Sequence, residues 1–398
     1  MEHKTRIKGN VHYVGVNDRN KHRFEGMWPL PYGVSYNSYL IDDEMVALVD
    51  TVDICYFEVY LRKIKQVIGE RPINYLIINH MEPDHSGSIR LIKQHYPEII
   101  IVGNKQTFGM IEGFYGVTGE QYLVKEGDFL ALGHHKLRFY MTPMVHWPET
   151  MMTFDETDGV LFSGDGFGCF GTVDGGFLDT RINVDKYWGE MVRYYSNIVG
   201  KYGSPVQKAL QKLGGLPIST ICSTHGPVWT ENIAKVVGIY DRLSRYDADE
   251  GVVIAYGSMY GNTEQMAEAI AEELSAQGVK NIVMHNVTKS HPSYIIADIF
   301  RYKGLIIGSP TYSNQIFPEV EALLSKILLR EVKGRYLGYF GSFTWAGAAV
   351  KRLAEFAEKG KFELVGDPVE MKQAMKDLTY TQCENLARAM ADRLKKDR

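Results

Sequence analysis

The stretch NYLIINHMEPDHSGS, residues 74–88, joins an apolar strand-like run to a cluster of metal-ligand side chains. Alternate residues of an extended chain share one side, so His80, Glu82 and Asp84 can converge. His85 can reach the same pocket where the chain turns into the helix SIRLIKQHY. Four ligand-type residues in six positions exceed ordinary surface polarity. The sequence therefore predicts a metal site at the end of this strand.

Three further candidate ligands follow other apolar runs. They are His146 in MVHWPET, Asp165 in VLFSGDG and His225 in ICSTHGP. With the first cluster they make four histidines and three carboxylates, enough for two metal ions with Asp165 as a bridge. Any single one of these histidines could be an ordinary polar residue at a strand end. The set of seven favours a metal site.

This arrangement resembles the metallo-β-lactamase fold, an αββα sandwich, over about residues 1–248. Hydrolases of that fold usually show H-x-H-x-D-H, whereas this chain has H-x-E-x-D-H, with Glu82 in place of the second histidine. A carboxylate in place of an imidazole makes the site harder and richer in oxygen, which favours iron over zinc.

From Gly251 onward, strand-like and helix-like runs alternate in five units, which predicts a five-stranded, doubly wound parallel sheet. Ligands of such sheets bind at the carboxyl ends of the strands. Three loops there are GSMYGNTEQ (257–265), GSPTYSN (308–314) and GSFTWAG (341–347). The first can hold a phosphate monoester at a helix N-terminus and lacks the lysine of a Walker A loop. Tyr312 and Trp345 can stack on a flat ring.

These loops resemble those of the flavodoxin family over residues 251–398, and the resemblance implies that they bind FMN. The expected contacts are Ser258, Met259, Tyr260, Gly261, Asn262 and Thr263 in the first loop, Pro310, Thr311, Tyr312, Ser313 and Asn314 in the second, and Ser342, Phe343, Thr344, Trp345, Ala346 and Gly347 in the third. We expect two domains, 1–248 and 251–398, joined by the polar stretch SRYDADE, residues 244–250.

H-x-E-x-D-H followed by a flavodoxin-like domain resembles the flavodiiron proteins, also called A-type flavoproteins, over the whole chain. The resemblance implies that one iron is held by His80, Glu82 and His146, and the other by Asp84, His85 and His225, with Asp165 bridging; these seven are the expected catalytic residues. In some members the imidazole equivalent to His85 turns away from the iron, so its ligation stays open. Tyr194 or Tyr195 could supply a phenol near the irons, or both could be core residues.

The resemblance further implies reduction of O2 to water, of NO to N2O, or of both, with electrons delivered through FMN. The four cysteines form no C-x-x-C pair, so the chain offers no rubredoxin-type iron site of its own. Electrons should therefore come from an external donor, such as a rubredoxin or a reduced deazaflavin. The family also implies a head-to-tail homodimer, or a dimer of such dimers, in which one subunit's FMN lies against the other's irons.

Two other functions remain open at the level of sequence. A dinuclear zinc hydrolase with a regulatory flavodoxin domain would turn over esters without a reductant, and Glu82 speaks against it. A simple electron carrier with a metal-free first domain would contain no iron. A net charge of -4 without a basic block gives no footprint for nucleic acid. Since no uncharged apolar run approaches the roughly 18 residues that span a bilayer, we expect no membrane and a cytoplasmic location.

Overall fold

The computed structural model describes residues 5–397, and the chain divides into two compact units between Ser244 and Arg245. The first strand of the second unit begins at Asp249, inside the stretch that the sequence suggested as a linker. Among the helices of residues 5–397, none is both long and apolar enough to cross a bilayer.

The first unit is built on two mixed β-sheets, with strand orders β1-β2-β7-β8-β9-β10-β11 and β12-β13-β14-β15-β16. Two short pairs, β3 with β6 and β4 with β5, lie outside these sheets. The strands are β1 (Arg6–Lys8), β2 (Val11–Tyr13), β3 (Val16–Asp18), β4 (Arg23–Phe24), β5 (Trp28–Pro29), β6 (Val34–Tyr36), β7 (Tyr39–Ile41), β8 (Ala47–Val49), β9 (Tyr75–Ile77), β10 (Ile100–Gly103), β11 (Gln121–Leu123), β12 (Phe129–Ala131), β13 (Lys136–Met141), β14 (Met151–Asp155), β15 (Val160–Gly164) and β16 (Thr220–Ser223).

Helices accompany both sheets of this unit. They are α1 (Phe57–Ile68), α2 (Pro83–Ser86), α3 (Ile89–His95), α4 (Lys105–Tyr115), α5 (Asp185–Tyr194), α6 (Gly203–Leu213) and α7 (Ile233–Ser244), with a π-helical turn at Tyr195–Val199 and 3-10 turns at Ile54–Tyr56 and Gly200–Tyr202. Val49 and Ile77 of the first sheet share one buried cluster with Phe139 and Phe162 of the second. The two sheets therefore close on a common apolar core, and the predicted αββα sandwich is confirmed.

Three of the candidate ligands follow strands that pair in parallel with a neighbour. β9 pairs in parallel with β8 and β10, and β15 pairs in parallel with β16. His80 follows β9, Asp165 follows β15 and His225 follows β16, while His146 lies in the connection between β13 and β14. Each of these four residues therefore lies on a loop outside the sheet, where ligand-binding residues are common.

The second unit is a parallel sheet with strand order β18-β17-β19-β21-β22. Its strands are β17 (Asp249–Tyr256), β18 (Ile282–Asn286), β19 (Tyr302–Tyr312), β20 (Gln315–Ile316), β21 (Tyr336–Phe343), β22 (Glu363–Leu364) and β23 (Val369–Lys372), and its helices are α8 (Asn262–Ala276), α9 (Pro292–Arg301), α10 (Pro318–Arg330), α11 (Ala349–Gly360) and α12 (Asp377–Lys395). The predicted five-stranded doubly wound sheet is confirmed. Its fifth strand is in two pieces, because β22 and β23 both pair with β21 in parallel.

The first helix of this unit follows its sequence pattern. Met266, Ile270 and Leu274 are buried along one side of α8, as their four-residue spacing predicts. Gly278 then takes a positive φ of +86°, which a glycine adopts without strain, and its N–H bonds the carbonyl of Ser275. The burial of this side fixes the position of α8 and of its N-terminus, which the first of the three loops enters.

Candidate metal centre and flavin site

The first ligand segment is less extended than its sequence suggested. β9 ends at Ile77, so His80 and Glu82 lie on an irregular loop. Asp84 and His85 lie on α2, a four-residue helix that has Pro83 in its first turn. The alternation expected of an extended chain therefore stops at Glu82, because proline favours the first turn of a helix. The four side chains still point into one site.

One half of the site surrounds Oδ2 of Asp165. This oxygen lies 3.0 Å from Nε2 of His146 and 3.6 Å from Nε2 of His80. Oε2 of Glu82 lies 3.2 Å from Nε2 of His146 and 3.6 Å from Nε2 of His80. His80, Glu82 and His146 thus form a triad that faces one oxygen of the central carboxylate.

The other half surrounds Oδ1 of Asp165. This oxygen lies 3.2 Å from Nε2 of His85 and 3.5 Å from Nε2 of His225. The two oxygens of Asp84 lie 3.1 Å from His85 and 3.3 Å from His225. A second triad, Asp84, His85 and His225, therefore faces the opposite oxygen of Asp165, so one carboxylate stands between two sets of three ligands.

The donor atoms of the site are buried and mostly lack hydrogen bonds. All seven side chains are under 10% exposed. Among residues 5–397, Nε2 of His80, His85 and His225 and both oxygens of Asp84 are buried without a hydrogen-bond partner. Such orphaned polar groups are costly unless an ion or water satisfies them. Imidazole and carboxylate donors in this number fit a pair of iron ions.

The pKa shifts of the site residues also indicate that the site binds cations. Burial opposes a positive charge on His146, but the carboxylates of Asp165 and Glu82 outweigh burial and raise the pKa of His146 to about 9. His225 is likewise buried, and Asp84 and Asp165 raise its pKa to about 9. Burial would raise the pKa of Asp165, yet the surrounding histidines lower it well below its ordinary value. The carboxylates therefore give the site a negative electrostatic potential, which favours the binding of cations.

Two of the imidazole rings form hydrogen bonds through Nδ1, on the side away from the metal site. Their partners are groups that the sequence did not indicate. Nδ1 of His80 lies 2.8 Å from Oε1 of the fully buried Glu149, which also accepts the N–H of Met81 at 2.9 Å. Nδ1 of His225 donates to the carbonyl of Ser35 at 2.8 Å. Within residues 5–397, Nδ1 of His85 has no hydrogen-bond partner. His85 is therefore the least constrained of these three rings.

The paired tyrosines of α5 and the π-helical turn have different surroundings. Tyr194 packs on the His225 ring at a centroid distance of 5.8 Å, and its buried hydroxyl has no hydrogen-bond partner in the described part of the chain. Tyr195 packs on Tyr240 at 5.1 Å. Of the two candidates, Tyr194 is the one beside a ligand of the metal site, whereas Tyr195 lies in the core.

A cavity of about 480 Å³ reaches the metal site and is lined by Glu82 and Asp84. Lys21, Glu25 and Arg90 also line it. This volume admits a small molecule to the ligand carboxylates.

The three loops of the second unit line one cavity of about 380 Å³. Its walls comprise Ser258, Met259, Tyr260, Asn262, Thr263, Pro310, Thr311, Tyr312, Ser313, Ser342, Phe343, Thr344 and Trp345, as expected, and also Gln373. Gly261, Asn314, Ala346 and Gly347 belong to the same loops but do not line the cavity. Gln373 directly follows β23, and no motif in its own segment marks it.

This cavity has the properties that a flavin mononucleotide requires. The N-terminus of α8 has Gly261 as its cap, with a φ of +91° and no side-chain hydrogen bond, so the first N–H groups are open to a phosphate. None of the described residues that line the cavity is charged. Tyr312 and Trp345 are 49% and 79% exposed, which leaves their rings available for stacking.

Comparisons with known proteins agree with the fold of both units of the chain. Residues 34–226 match the family model described as ODP family beta lactamase, and residues 254–385 match the flavodoxin model. The anaerobic nitric oxide reductase flavorubredoxin of Vibrio vulnificus (strain YJ016) is 33% identical over 353 residues, which are 87% of this chain and 71% of that protein. The rubredoxin oxygen:oxidoreductase of Desulfovibrio gigas is 31% identical, with a TM-score of 0.95 over 98% of both chains.

The chain belongs to the flavodiiron proteins. The flavodiiron protein of Giardia intestinalis is also similar, with a TM-score of 0.92 and 26% identity over 97% of this chain and 95% of that one. As a flavodiiron protein, the chain is an oxidoreductase with an FMN domain and a di-iron site. The zinc hydrolase that the sequence left open is not favoured by these relatives.

Proposed function

We propose that this flavodiiron protein reduces NO to N2O, O2 to water, or both. The observation that carries the proposal is Asp165, whose two oxygens face two separate triads of histidine and carboxylate ligands. Relatives support both substrates, since one is named a nitric oxide reductase and another an oxygen oxidoreductase.

In this proposal each triad holds one iron. His80, Glu82 and His146 would hold the first, Asp84, His85 and His225 would hold the second, and Asp165 would contribute to both. Two iron ions held there would supply electrons and bind the diatomic molecule, and a bound FMN would supply further electrons. The chain fixes the ligands through the buried contacts of Glu149 and Ser35 and admits substrate through the cavity beside Glu82.

The decisive experiment compares two gases on one preparation. Fully loaded protein should contain two irons and one FMN, and a chemically reduced donor should drive consumption of NO under anaerobic conditions, of O2, or of both. Two zinc ions with no iron, or reduction of neither gas, would overturn the proposal. The ratio of the two turnover rates then assigns the physiological substrate.

Asp165→Ala should lose both irons, because its removal takes away the carboxylate that faces both triads. Metal analysis after purification measures this loss directly. Asp367→Ala, which removes an exposed carboxylate from the second unit, is the matched control and should keep both irons. Retention of two irons in Asp165→Ala would argue against the bridging role.

We further propose an external electron donor, either a rubredoxin or a reduced deazaflavin. All four cysteines are free, and the sequence contains no C-x-x-C pair. A rubredoxin is favoured by the name of the Desulfovibrio gigas relative. Mixing oxidised protein with each reduced donor in a stopped-flow instrument, and following bleaching of the flavin band, distinguishes the two. A cytoplasmic location would give access to either donor.

Each cofactor cavity has exposed apolar or aromatic side chains in its wall, which supports a head-to-tail dimer. Ile54 and Phe114, at the metal cavity, are 54% and 53% exposed. Tyr260 and Trp345, at the flavin cavity, are 91% and 79% exposed. A second copy that covers one surface with the other would bury both and bring its FMN to the irons.

A further inference from the structure

Glu25 occupies a backbone conformation that glutamate rarely adopts. It lies between β4 and β5, where the N–H of Met27 bonds the carbonyl of Phe24 at 2.9 Å. The two central residues, Glu25 and Gly26, have φ values of +48° and +69°. Positive φ at both central positions is the requirement of a type I′ turn, which favours Asn-Gly or Asp-Gly. A glutamate is therefore held there against its own backbone preference.

Such strain is often kept where a side chain has a task. The turn brings Glu25 to the wall of the cavity that Glu82 and Asp84 also line. The indole N–H of the fully buried Trp28 donates to Oε2 of Glu25 at 2.9 Å. The turn fixes the backbone and the indole fixes the carboxyl group, so Glu25 has a defined place at the metal cavity.

Among the described residues that line this cavity, Glu25 is a carboxyl group without an ion-pair partner. Asp53 pairs with Lys21 at 3.2 Å, and Glu82 and Asp84 contact the histidines of the metal site. Within residues 5–397, Glu25 takes part in no ion pair. An unpaired carboxyl group can gain and lose a proton without breaking a salt bridge.

The proposed reaction needs protons at the metal cavity. Reduction of O2 takes four electrons and four protons to give two waters, and coupling of two NO takes two electrons and two protons to give N2O and one water. The electrons come from the reduced donor through FMN, as in the proposed function. The protons must come from solvent through groups that line the cavity.

We propose that Glu25 is the proton-transfer residue of this cavity, an inference that rests on the proposed function. Its protonated carboxyl group gives a proton to the substrate oxygen as that oxygen is reduced. The carboxylate that remains takes a proton back from water in the cavity. Glu25 is unchanged over the cycle, and solvent supplies every proton consumed.

The charged surroundings agree with this role. Glu25 is exposed as a residue, but partial desolvation of its carboxyl group, followed by the negative charge of Glu82, raises its pKa above the ordinary value, and Asp84 acts in the same direction. His146 and the indole of Trp28 oppose this shift. The other charged groups of the cavity wall are Lys21, Asp53 and Arg90.

Two variants of Glu25 separate proton transfer from a structural role. Glu25→Gln keeps the shape of the side chain and an oxygen that can accept the hydrogen bond of Trp28, but it has no carboxylic acid proton to transfer. Glu25→Asn also removes the acid and suits the type I′ turn better than glutamate does. Glu120→Gln, which removes an exposed carboxylate elsewhere in the first unit, is the control.

We expect both Glu25 variants to keep two irons and one FMN and to accept electrons from the donor at the native rate. Turnover of the gas should fall at least about tenfold, in the range of lost acid catalysis. The native rate should fall as the pH rises through the pKa of Glu25, and the variants should lack this step. Glu25→Asn should melt at a higher temperature than Glu25→Ala, because both variants lose the carboxyl group that Trp28 bonds and only asparagine suits the positive φ of the turn.

Native turnover in Glu25→Gln, within about twofold at every pH, would overturn the inference. Loss of iron from Glu25→Gln would also overturn it, because Glu25 would then support the ligands. A melting temperature for Glu25→Asn no higher than that of Glu25→Ala would contradict the strained turn on which the inference stands. Failure of the native protein to reduce either gas would instead refute the proposed function, so the two failures are distinguishable.

Discussion

Glu149 shows how much of a metal site lies behind its ligands. Its carboxylate is fully buried and binds both Nδ1 of His80 and the N–H of Met81. It therefore orients the ring whose Nε2 faces the metal site. Partners of this kind typically account for a tenfold to hundredfold change in metal affinity.

Glu149→Gln should bind iron about 10 to 100 times more weakly than the native protein, because an amide holds the His80 ring less firmly than a carboxylate does. Iron retained after equilibration with a graded series of chelator concentrations measures this change. Glu120→Gln, at an exposed position, should retain iron as the native protein does. Equal retention by Glu149→Gln would mean that His80 needs no support from behind.

The seven candidate ligands could be predicted from sequence because each follows an apolar run and each is of a ligand type. Glu149 and Glu25 could not, since their roles depend on contacts between residues far apart in the chain. Glu149 lies 68 positions after Met81, to which it binds. Glu25 is recognisable only once the φ angles of its turn are known. Sequence pattern thus finds the donors of a site more readily than the groups that orient them.

At the scale of elements, Asp179 organises the turn that leads from the His225 loop into α7. Its carboxylate accepts the backbone N–H groups of Thr230, Glu231 and Asn232. Burial would raise the pKa of Asp179, but the hydrogen bonds from Thr230 and Asn232 outweigh burial and lower it. Because its pKa is lower in the folded state, its stabilisation is full above the unfolded pKa, near 4, and is lost as the pH falls through the folded value.

Asp179→Asn should therefore lower the free energy of unfolding by about 1.5 to 3 kcal/mol at pH 7, the usual worth of hydrogen bonds to a charged group. The difference from the native protein should shrink as the pH falls below about 4. Urea unfolding at several pH values measures both effects. Asp367→Asn, at an exposed position, should differ little from the native protein at either pH. A constant difference across pH would show that the charge is irrelevant.

The N-terminus of α8 makes a separate prediction for the flavin. Ser258 lines the cavity in front of this terminus, where the phosphate should lie. Ser258→Glu places a carboxylate there, so FMN affinity should fall at least about tenfold through repulsion. Quenching of flavin fluorescence on titration into the FMN-free protein measures the affinity. Ser275→Glu, at the other end of α8, adds the same charge away from the cavity and should bind FMN normally.

Elements with a clear period were predicted well, and short ones were not. α8 follows from the spacing of Met266, Ile270 and Leu274, since three buried residues repeat at helical intervals. α2 has four residues and no room for a period, so the same segment suggested an extended chain. The division of the fifth strand into β22 and β23 was missed for the same reason. Periodicity needs length before it can distinguish structures.

At the scale of the whole molecule, the fused arrangement places one cofactor on each unit of the chain. The division between Ser244 and Arg245 leaves all seven candidate ligands in the first unit and the whole flavin cavity in the second. Electrons must therefore cross from one unit to another. The proposed head-to-tail dimer makes that crossing intermolecular, so function would depend on assembly as well as on folding.

Mixed dimers test this crossing directly. Asp165→Ala should keep FMN but lose iron, and Ser258→Glu, stripped of its weakly bound FMN, should keep iron, so neither variant alone should reduce O2 or NO. In a head-to-tail dimer of one copy each, the FMN of the Asp165→Ala subunit faces the intact irons of the Ser258→Glu subunit, and one working junction is restored. Co-expression with two affinity tags isolates this mixed dimer for assay. Activity near half that of the native dimer supports transfer between subunits, whereas an inactive mixed dimer would mean that electrons pass within one chain.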